Sequence, residues 1–369
     1  MKKGKKARWP NSQSSYSSDH DDTIGHHRGR PGSYVAGRYR IEKDVGMGTF
    51  GRVVQCFDTR GGRSRDRIGP VAIKIVRSIK RYYDSAVIEA DICEGVNRRS
   101  GQGLSHFAIM HDRFDLPTGH YCLVFECLGM SLYDFLKAHH YLPFPLYCVQ
   151  DFARQLLEAI AFLHSFKLIH TDLKPENVLL TSNATELYRN WDGSSQTVPR
   201  STSIKVIDFG GATYDHEKKS TVVNTRQYRA PEVILGLSWS MPSDLWSAGC
   251  VIAECYLGNL LFATHDNAEH LALIERAVGP FPPDMVSNAK TNGEYFDSQG
   301  MHRGKSVLSS RSKDHVRQMR PLEAVVAARD RDCGLYELLR ELLTIDPKAR
   351  MKGADALNRC SFVKTHSKT

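Results

Sequence analysis

The sequence predicts an α+β chain, with a small β-rich unit containing one helix over residues 39–128 and a larger, mainly helical unit over 129–363. Two observations carry this. Up to Leu128 the apolar residues fall in short runs rich in β-branched and aromatic side chains, separated by Gly-containing turns. After Gly129 they recur at three- and four-residue steps, the spacing of one helix face.

In the first unit Val53-Val54, Val71–Val76 and Tyr121–Phe125 read as strands, and Gly61-Gly62 as a turn. A helix is expected after Tyr83, with Ala86, Ile88, Ala90, Ile92 and Cys93 as its less polar positions. In the second unit Val149, Phe152, Ala153, Leu156, Leu157, Ile160 and Leu163 form one apolar stripe. Leu335, Leu338, Leu339, Leu342 and Leu343 form another. Two polar stretches without period, 181–203 and 284–320, read as inserts, and residues 1–33 as a flexible basic tail.

The composition excludes several classes. With 41% hydrophobic residues and 28 glycines among 369, the chain is neither mostly disordered nor collagen-like. The net charge is +9: residues 1–33 contribute +4, residues 301–320 contribute +5, and the rest sums to zero. That excess hints at nucleic acid, but the basic residues form no periodic, aromatic-interleaved surface, so no direct nucleic-acid binding is expected. Nine cysteines without a C-x-x-C pair argue against a disulfide framework or zinc ribbon and for a reducing compartment. The longest apolar stretch, Cys250–Ala263, contains Glu254 and is too short to span a bilayer. The expectation is a soluble, monomeric protein of the nucleus and/or cytoplasm.

Five motifs carry chemistry. Gly46-Met47-Gly48-Thr49-Phe50-Gly51 lets backbone pass close to a phosphate chain, with N–H groups to bind its oxygens. Strand residues follow it, whereas a helix follows a dinucleotide fingerprint. Lys74 stands inside an apolar strand, a costly place for an unpaired charge. Glu89 and Glu94 are both possible partners, and spacing does not choose between them. His170-Thr-Asp-Leu-Lys-Pro-Glu-Asn177 sets a carboxylate, an ammonium and a carboxamide in one loop after the amphipathic helix. Asp172 could orient and deprotonate a hydroxyl, Lys174 could neutralise charge on a transferred phosphoryl group, and Asn177 could ligate Mg²⁺. Asp208-Phe-Gly210 supplies Asp208 as a second magnesium ligand, and Ala230-Pro-Glu232 closes the series.

Taken in this order, the motifs form the eukaryotic protein-kinase signature, and the sequence resembles that family over nearly its whole length. More finely, it resembles the LAMMER, or Clk-type, branch of the CMGC kinases. Four stretches carry this: Asp21-Asp22-Thr-Ile-Gly25-His26; His170-Thr-Asp172, with Thr171 where most protein kinases place arginine; Ala212–Asp215 with Ser220-Thr221 and Asn224–Glu232; and Thr264-His-Asp266 with Glu269-His-Leu-Ala-Leu-Ile-Glu-Arg276. Two departures are visible. Leu273 and Ile274 replace the name-giving methionines, a volume-similar swap, and Arg359-Cys-Ser-Phe362 stands where His-Pro-Phe is usual. The helical face of Leu271, Ile274 and Val278 marks the Glu269–Arg276 motif as structural packing.

The resemblance implies the protein-kinase fold, with N-lobe 39–128 and C-lobe 129–363. It implies ATP and Mg²⁺ as cofactors, and transfer of the γ-phosphoryl group to Ser and Thr hydroxyls, and by autophosphorylation to Tyr. The implied partners are protein substrates of the Ser/Arg-rich splicing type. By the same resemblance Val45, Gly46, Met47, Gly48, Thr49, Phe50, Gly51, Val53, Ala72, Lys74, Phe125, Glu126 and Leu128 would surround ATP. Lys74, paired with Glu89, would hold the α- and β-phosphates; Phe125 looks like the gatekeeper, and Glu126 and Leu128 would offer backbone groups to adenine. Asp244 would brace the catalytic loop, Glu232 would pair with Arg350, and the activation segment would include Ser220, Thr221, Thr225 and Tyr228. Asp134 and Glu176 could meet substrate arginines by bidentate pairing. Thr171 removes the cation that would bind an activation-loop phosphate, so activity without an upstream kinase is expected. Two competing functions, a pseudokinase used as a binding scaffold and a Pro-directed CMGC kinase, are disfavoured by the intact catalytic set and by the Thr171 and Glu269–Arg276 stretches.

Overall fold

The computed structural model describes residues 25–60, 69–101, 106–297 and 308–364. The chain divides into two compact units, residues 1–128 and 129–369.

The first unit is a six-stranded antiparallel sheet and one long helix. The strands are β1 (Tyr34–Val35), β2 (Tyr39–Met47), β3 (Gly51–Asp58), β4 (Val71–Val76), β5 (Met110–Asp115) and β6 (Tyr121–Glu126), in the order β1-β2-β3-β4-β6-β5. The helix, α1 (Lys80–Ser100), connects β4 to β5. Side chains alternate between faces with a period of two. One face buries Val54, Cys56, Ile73, Ile75, Cys122 and Val124 together. The other sets Val76 and Leu123 against Ala86 and Ala90 of α1. Lys74 lies two residues before Val76 and opposite Leu123, so the alternation turns it toward the helix.

Helix α1 differs from the sequence expectation at one position. Ile88 is 60% exposed, and the buried stripe runs Ala86, Glu89, Ala90, Ile92, Cys93, Val96. A glutamate takes the inward place that hydrophobicity alone assigned to Ile88.

The tail expectation is also corrected in part. Residues 1–24 lie outside the described residues, but Gly25–Ser33 lies against the sheet. Gly25 accepts from Ser78 N–H at 3.1 Å, and Gly32 N–H donates to Ile41 at 2.8 Å. The cause is Arg52, which is buried and pairs with Asp44. Its guanidinium also donates to the carbonyls of His27 (3.0 Å) and Gly29 (2.6 Å). A buried guanidinium needs such acceptors.

The second unit is organised on α5 (Pro242–Leu257), buried from Ser243 to Cys255. A helix buried all round is a core element. Against it pack α3 (Leu146–Ser165), whose predicted stripe is buried, and the helix Leu335–Leu342. Before α3 comes α2 (Leu132–Ala138), and α4 (Pro231–Ile234) and α6 (Asn267–Val278) flank α5 in sequence. Short strands cross the connections: β7 (Leu168–Ile169) pairs with β12 (Thr213–Tyr214), and β8 (Val178–Leu180) with β11 (Ile204–Val206).

Both predicted inserts carry structure. Residues 181–203 form a hairpin of β9 (Thr185–Arg189) and β10 (Ser195–Pro199). Its alternation was invisible because β9 is exposed on both faces. Residues 284–320 contain helical turns at Pro283–Asn288, Asn292–Tyr295 and Ser310–Gln318. The last has no buried residue; it is anchored by His315, 3.1 Å from Glu269 on α6. Residues 298–307, the first seven of the basic 301–320 segment among them, lie outside the described residues. No helix among the described residues is long and apolar enough to cross a membrane.

Candidate active site

Each unit carries one half of the predicted chemistry. In the first, the turn between β2 and β3 is closed by Gly48 N–H donating to Gly51 at 2.9 Å. Arg77 holds its far side, donating from its backbone to Phe50 (3.0 Å) and from its guanidinium to Thr49 (3.1 Å). Gly51 faces the carbonyl of Ile75 too closely for any Cβ, which fixes glycine there. At Gly46 and Gly48 a Cβ would meet nothing within 4 Å, so those glycines serve no internal packing. Their bare backbone leaves an open approach for a phosphate chain. Val45, Met47 and Phe50 are exposed, and Phe50 stands edge-on to Tyr82 at 5.4 Å. Val53 lies opposite Lys74 in the sheet, and Ala72 opposite Phe125.

The Lys74 alternatives are resolved here. Its Nζ lies 2.7 and 2.9 Å from the two carboxylate oxygens of Glu89. Glu94 instead pairs with Arg113, at 3.0 Å. Phe125 is half-buried against the helix-facing cluster. Glu126 exchanges bonds with Ile109, donating from its backbone at 2.9 Å and accepting on its side chain at 2.7 Å. Leu128 is half-buried at the last position of the unit.

In the second unit the site is built on Asp244, fully buried in α5. It accepts the backbone N–H groups of His170 and Thr171, each at 2.9 Å, and His164 Nε2 lies 3.0 Å away. Burial pushes the Asp244 pKa up, but the His164 bond and the neighbouring donors outweigh it and hold the carboxyl below its ordinary value. The loop it braces contains Thr171 at φ +69°, in the left-handed region disfavoured for a β-branched residue.

That strained turn presents Asp172. One oxygen accepts from Thr225, from N–H at 3.0 Å and from the hydroxyl at 2.7 Å. The other accepts from Lys174 at 2.6 Å, and Lys174 also reaches the Thr225 hydroxyl at 3.1 Å. Asn177 donates through Nδ2 to the Asp172 carbonyl at 2.9 Å, which orients its Oδ1 as the remaining acceptor. Asp208 sits at φ +68°, immediately after Ile207, whose carbonyl lies 3.0 Å from His170 Nε2. The Asn177 and Asp208 oxygens are hard donors of the type Mg²⁺ takes beside phosphate oxygens and water. Among the described residues no group of three or more His, Cys, Asp or Glu could hold a metal ion.

The remaining candidates separate. Ser220 and Thr221 are exposed, whereas Tyr228 is 3% exposed and donates to Glu254 at 2.7 Å. Tyr228, between Asp208-Phe-Gly210 and Ala230-Pro-Glu232, is thus a core side chain, closed to modification in this fold. Asp134 is exposed in the first turn of α2, where Ser131 is the cap: the Ser131 hydroxyl accepts Asp134 N–H at 2.9 Å and donates to the Asp134 carboxylate at 2.7 Å. Glu176 is half-buried, with Oε2 sequestered and lacking a hydrogen-bond partner. Burial, with help from Asp172 and Asp134, raises its pKa.

Glu254 was not among the predicted site residues. Burial pushes its carboxyl up to about 7, and the Glu176 charge adds to the rise. The signal was present, a lone acid inside the apolar stretch Cys250–Ala263, but sequence alone gave it no neighbour. Because the folded state holds this proton to a higher pH than the unfolded chain, stability falls as pH rises from 4.5 towards 7. Glu254→Gln removes that slope and keeps an acceptor for Tyr228. Its thermal midpoint is expected to match the wild type at pH 4 and exceed it by roughly 3 °C at pH 8; equal differences at both pH values contradict the assignment.

The protein kinase domain family matches residues 39–362. The chain belongs to the protein kinase family. Human dual specificity protein kinase CLK2 is 41% identical over 93% of this chain and 68% of its own length. Dual specificity protein kinase lkh1 of Schizosaccharomyces pombe is 40% identical over 91% of this chain, which spans about half (48%) of that relative. The crystal structure of the PF14_0431 kinase domain superimposes with a TM-score of 0.83 at 35% identity, covering 93% of this chain and all of that one. The kinase therefore has the α+β protein-kinase fold, and it is an ATP-using transferase of the LAMMER dual-specificity branch. Its Glu269–Arg276 motif lies in α6, where Leu271, Leu273 and Ile274 are fully buried. His270, against Phe262, is pushed down to about 3 by burial and by Arg229 and Arg226, so its ring is neutral.

Proposed function

We propose that this kinase moves the γ-phosphoryl group of ATP onto Ser and Thr hydroxyls of basic, Ser/Arg-rich protein segments, and onto Tyr by autophosphorylation. The observation that carries the chemistry is Asp172 held between Thr225 and Lys174 on the Asp244-braced loop. A substrate hydroxyl beside Asp172 gives up its proton to the carboxylate as its oxygen bonds to the γ-phosphorus. The bond from that phosphorus to the bridging oxygen breaks, and ADP leaves with the bridging oxygen. Lys174 neutralises charge on the transferred group, while Glu89 orients Lys74 toward the phosphates. Asn177 and Asp208 are the residues that would hold Mg²⁺, which when bound neutralises phosphate charge.

The preference for arginine is argued from Glu176, whose Oε2 lacks a hydrogen-bond partner, and from exposed Asp134. Burial, with the Asp172 and Asp134 charges, raises the Glu176 pKa. A guanidinium entering between such carboxyls would relieve both effects and find a bidentate partner. Comparing an Arg-Ser repeat peptide with a Ser-Pro peptide under Mg-ATP tests this. At least about tenfold higher kcat/KM for Arg-Ser is expected, falling towards equality in Glu176→Gln. Preference for Ser-Pro would support the Pro-directed alternative, and transfer to neither would support a binding scaffold.

A further inference from the structure

The first unit carries a groove of about 660 Å³ that no catalytic residue lines, bounded by residues 27–30, 33–36 and 116–118. One wall is the segment that Arg52 draws onto the sheet. A turn shapes it: the Arg30 carbonyl accepts Ser33 N–H at 2.9 Å and the Ser33 hydroxyl at 2.6 Å, with Gly32 at φ +90°. The other wall is the turn between β5 and β6, closed by Gly119 N–H donating to the Leu116 carbonyl at 2.9 Å. The sheet curls enough to bring these walls near each other. Tyr39 of β2 stacks on Phe114 of β5 at 5.8 Å, and Arg38 donates to Asp112 at 2.9 Å. Strands β1 and β5 are nevertheless its two edges, and no ladder joins them.

Backbone, apolar surface and charge together describe what would fill this groove. The Ser33 carbonyl accepts Ile41 N–H at 2.8 Å, which makes Tyr34 and Arg40 a non-hydrogen-bonded pair of the antiparallel ladder. The N–H and C=O of Tyr34 therefore point away from β2, to the open edge. Tyr34, Val35 and Ala36 all line the groove, as consecutive residues do along a strand edge but not on one face of a sheet. Buried Val35 and Leu116, members of one core cluster, form its apolar floor. Tyr34 is 54% exposed beside them. Arg28 and Arg30 are exposed, and neither guanidinium has a hydrogen bond or ion pair among the described residues. No carboxylate lines the groove. Thr118, also in the lining, keeps a sequestered hydroxyl oxygen with no hydrogen-bond partner.

An open strand edge over an apolar floor is the setting for addition of a peptide strand. Two guanidiniums without counter-charges favour carboxylates on that strand. A polyanion without a peptide backbone would use the arginines alone and leave the Tyr34 edge and the floor unfilled. We infer that this groove docks an extended acidic segment of a partner protein. The segment adds to the Tyr34 edge, sets alternate apolar side chains on Val35 and Leu116, and pairs its carboxylates with Arg28 and Arg30. This surface goes beyond the phosphoryl transfer proposed above and does not depend on it.

The test is fluorescence anisotropy of the full chain with a fluorescein-labelled Glu-Val-Glu-Leu-Glu-Val-Glu peptide in about 0.15 M salt. Two control peptides accompany it. One carries Gln in place of every Glu; the other is N-methylated along its backbone, which keeps charge and side chains but forbids strand pairing. Saturable micromolar binding is expected, weakened at least about tenfold by either change to the peptide. Arg28→Gln combined with Arg30→Gln should weaken it about tenfold as well, with the circular dichroism and the transfer to an Arg-Ser peptide unchanged. Absence of saturable binding would overturn the docking site. Equal binding of the N-methylated peptide would reduce the contact to charge attraction without a strand, and overturn it too. Equal binding by the double variant would place the peptide elsewhere on the chain, with the same consequence.

Discussion

Asp172→Asn is expected to lower kcat about 1,000-fold while leaving the KM for ATP within about twofold. The replacement is isosteric, and the side chain is 29% exposed, so the fold has no large cavity or buried charge to absorb. Two chemical properties are lost. The amide cannot take a proton from an incoming hydroxyl, and its NH₂ must face either Lys174 or Thr225, both donors in this structure. The loss, about 4 kcal/mol in the barrier, is that of a positioned general base and its disturbed geometry. The check is steady-state transfer to an Arg-Ser peptide, with circular dichroism confirming the fold. Activity within threefold of wild type would show that Asp172 is not the proton acceptor.

Arg350→Ala is expected to cost the second unit about 3–5 kcal/mol of stability, a large share of the total for a domain. Arg350 and Glu232 are both fully buried at their side chains, with a two-pronged contact of 2.7 and 2.8 Å. The guanidinium further satisfies the carbonyls of Thr344 (2.8 Å), Pro242 (2.8 Å) and Ile345 (3.1 Å), and stacks over Trp246 at 5.2 Å. Removing it strands a carboxylate and three carbonyls in the core of the unit. Replacing both members, as in Glu232→Leu with Arg350→Met, should cost less than Arg350→Ala, because no buried charge then lacks a partner. Urea denaturation measures both. A loss below 1 kcal/mol for Arg350→Ala would mean that water or a rearranged loop supplies what the guanidinium does here.

The strands of the first unit and the stripes of α3 and the Leu335–Leu342 helix were legible because one face of each is buried, which writes a period into the sequence. Hairpin β9–β10 was not, since a strand exposed on both faces has no reason to alternate. Ile88 misled for a related cause: an apolar residue can face solvent freely, while Glu89 turned inward because Lys74 awaited it. The site was legible as residue types at fixed spacings in the Gly46–Gly51, His170–Asn177 and Asp208–Gly210 stretches. What spacing did not contain were partnerships between distant segments: the choice of Glu89 over Glu94, Thr225 on Asp172, and Tyr228 on Glu254. Each depends on where two elements meet, and the burial of Tyr228 could not be read from its place near Ala230-Pro-Glu232.

Every role proposed for the Asp172 loop depends on transfer of a phosphoryl group from ATP to a protein hydroxyl. The direct measurement incubates the full chain and an Arg-Ser peptide with Mg-ATP labelled in either the γ- or the α-phosphate. γ-Label is expected on peptide serines, with none from α-labelled ATP, and the rate is expected to fall about 1,000-fold in Asp172→Asn. ATP hydrolysis without labelled peptide, or equal labelling by the Asp172→Asn chain, would contradict it.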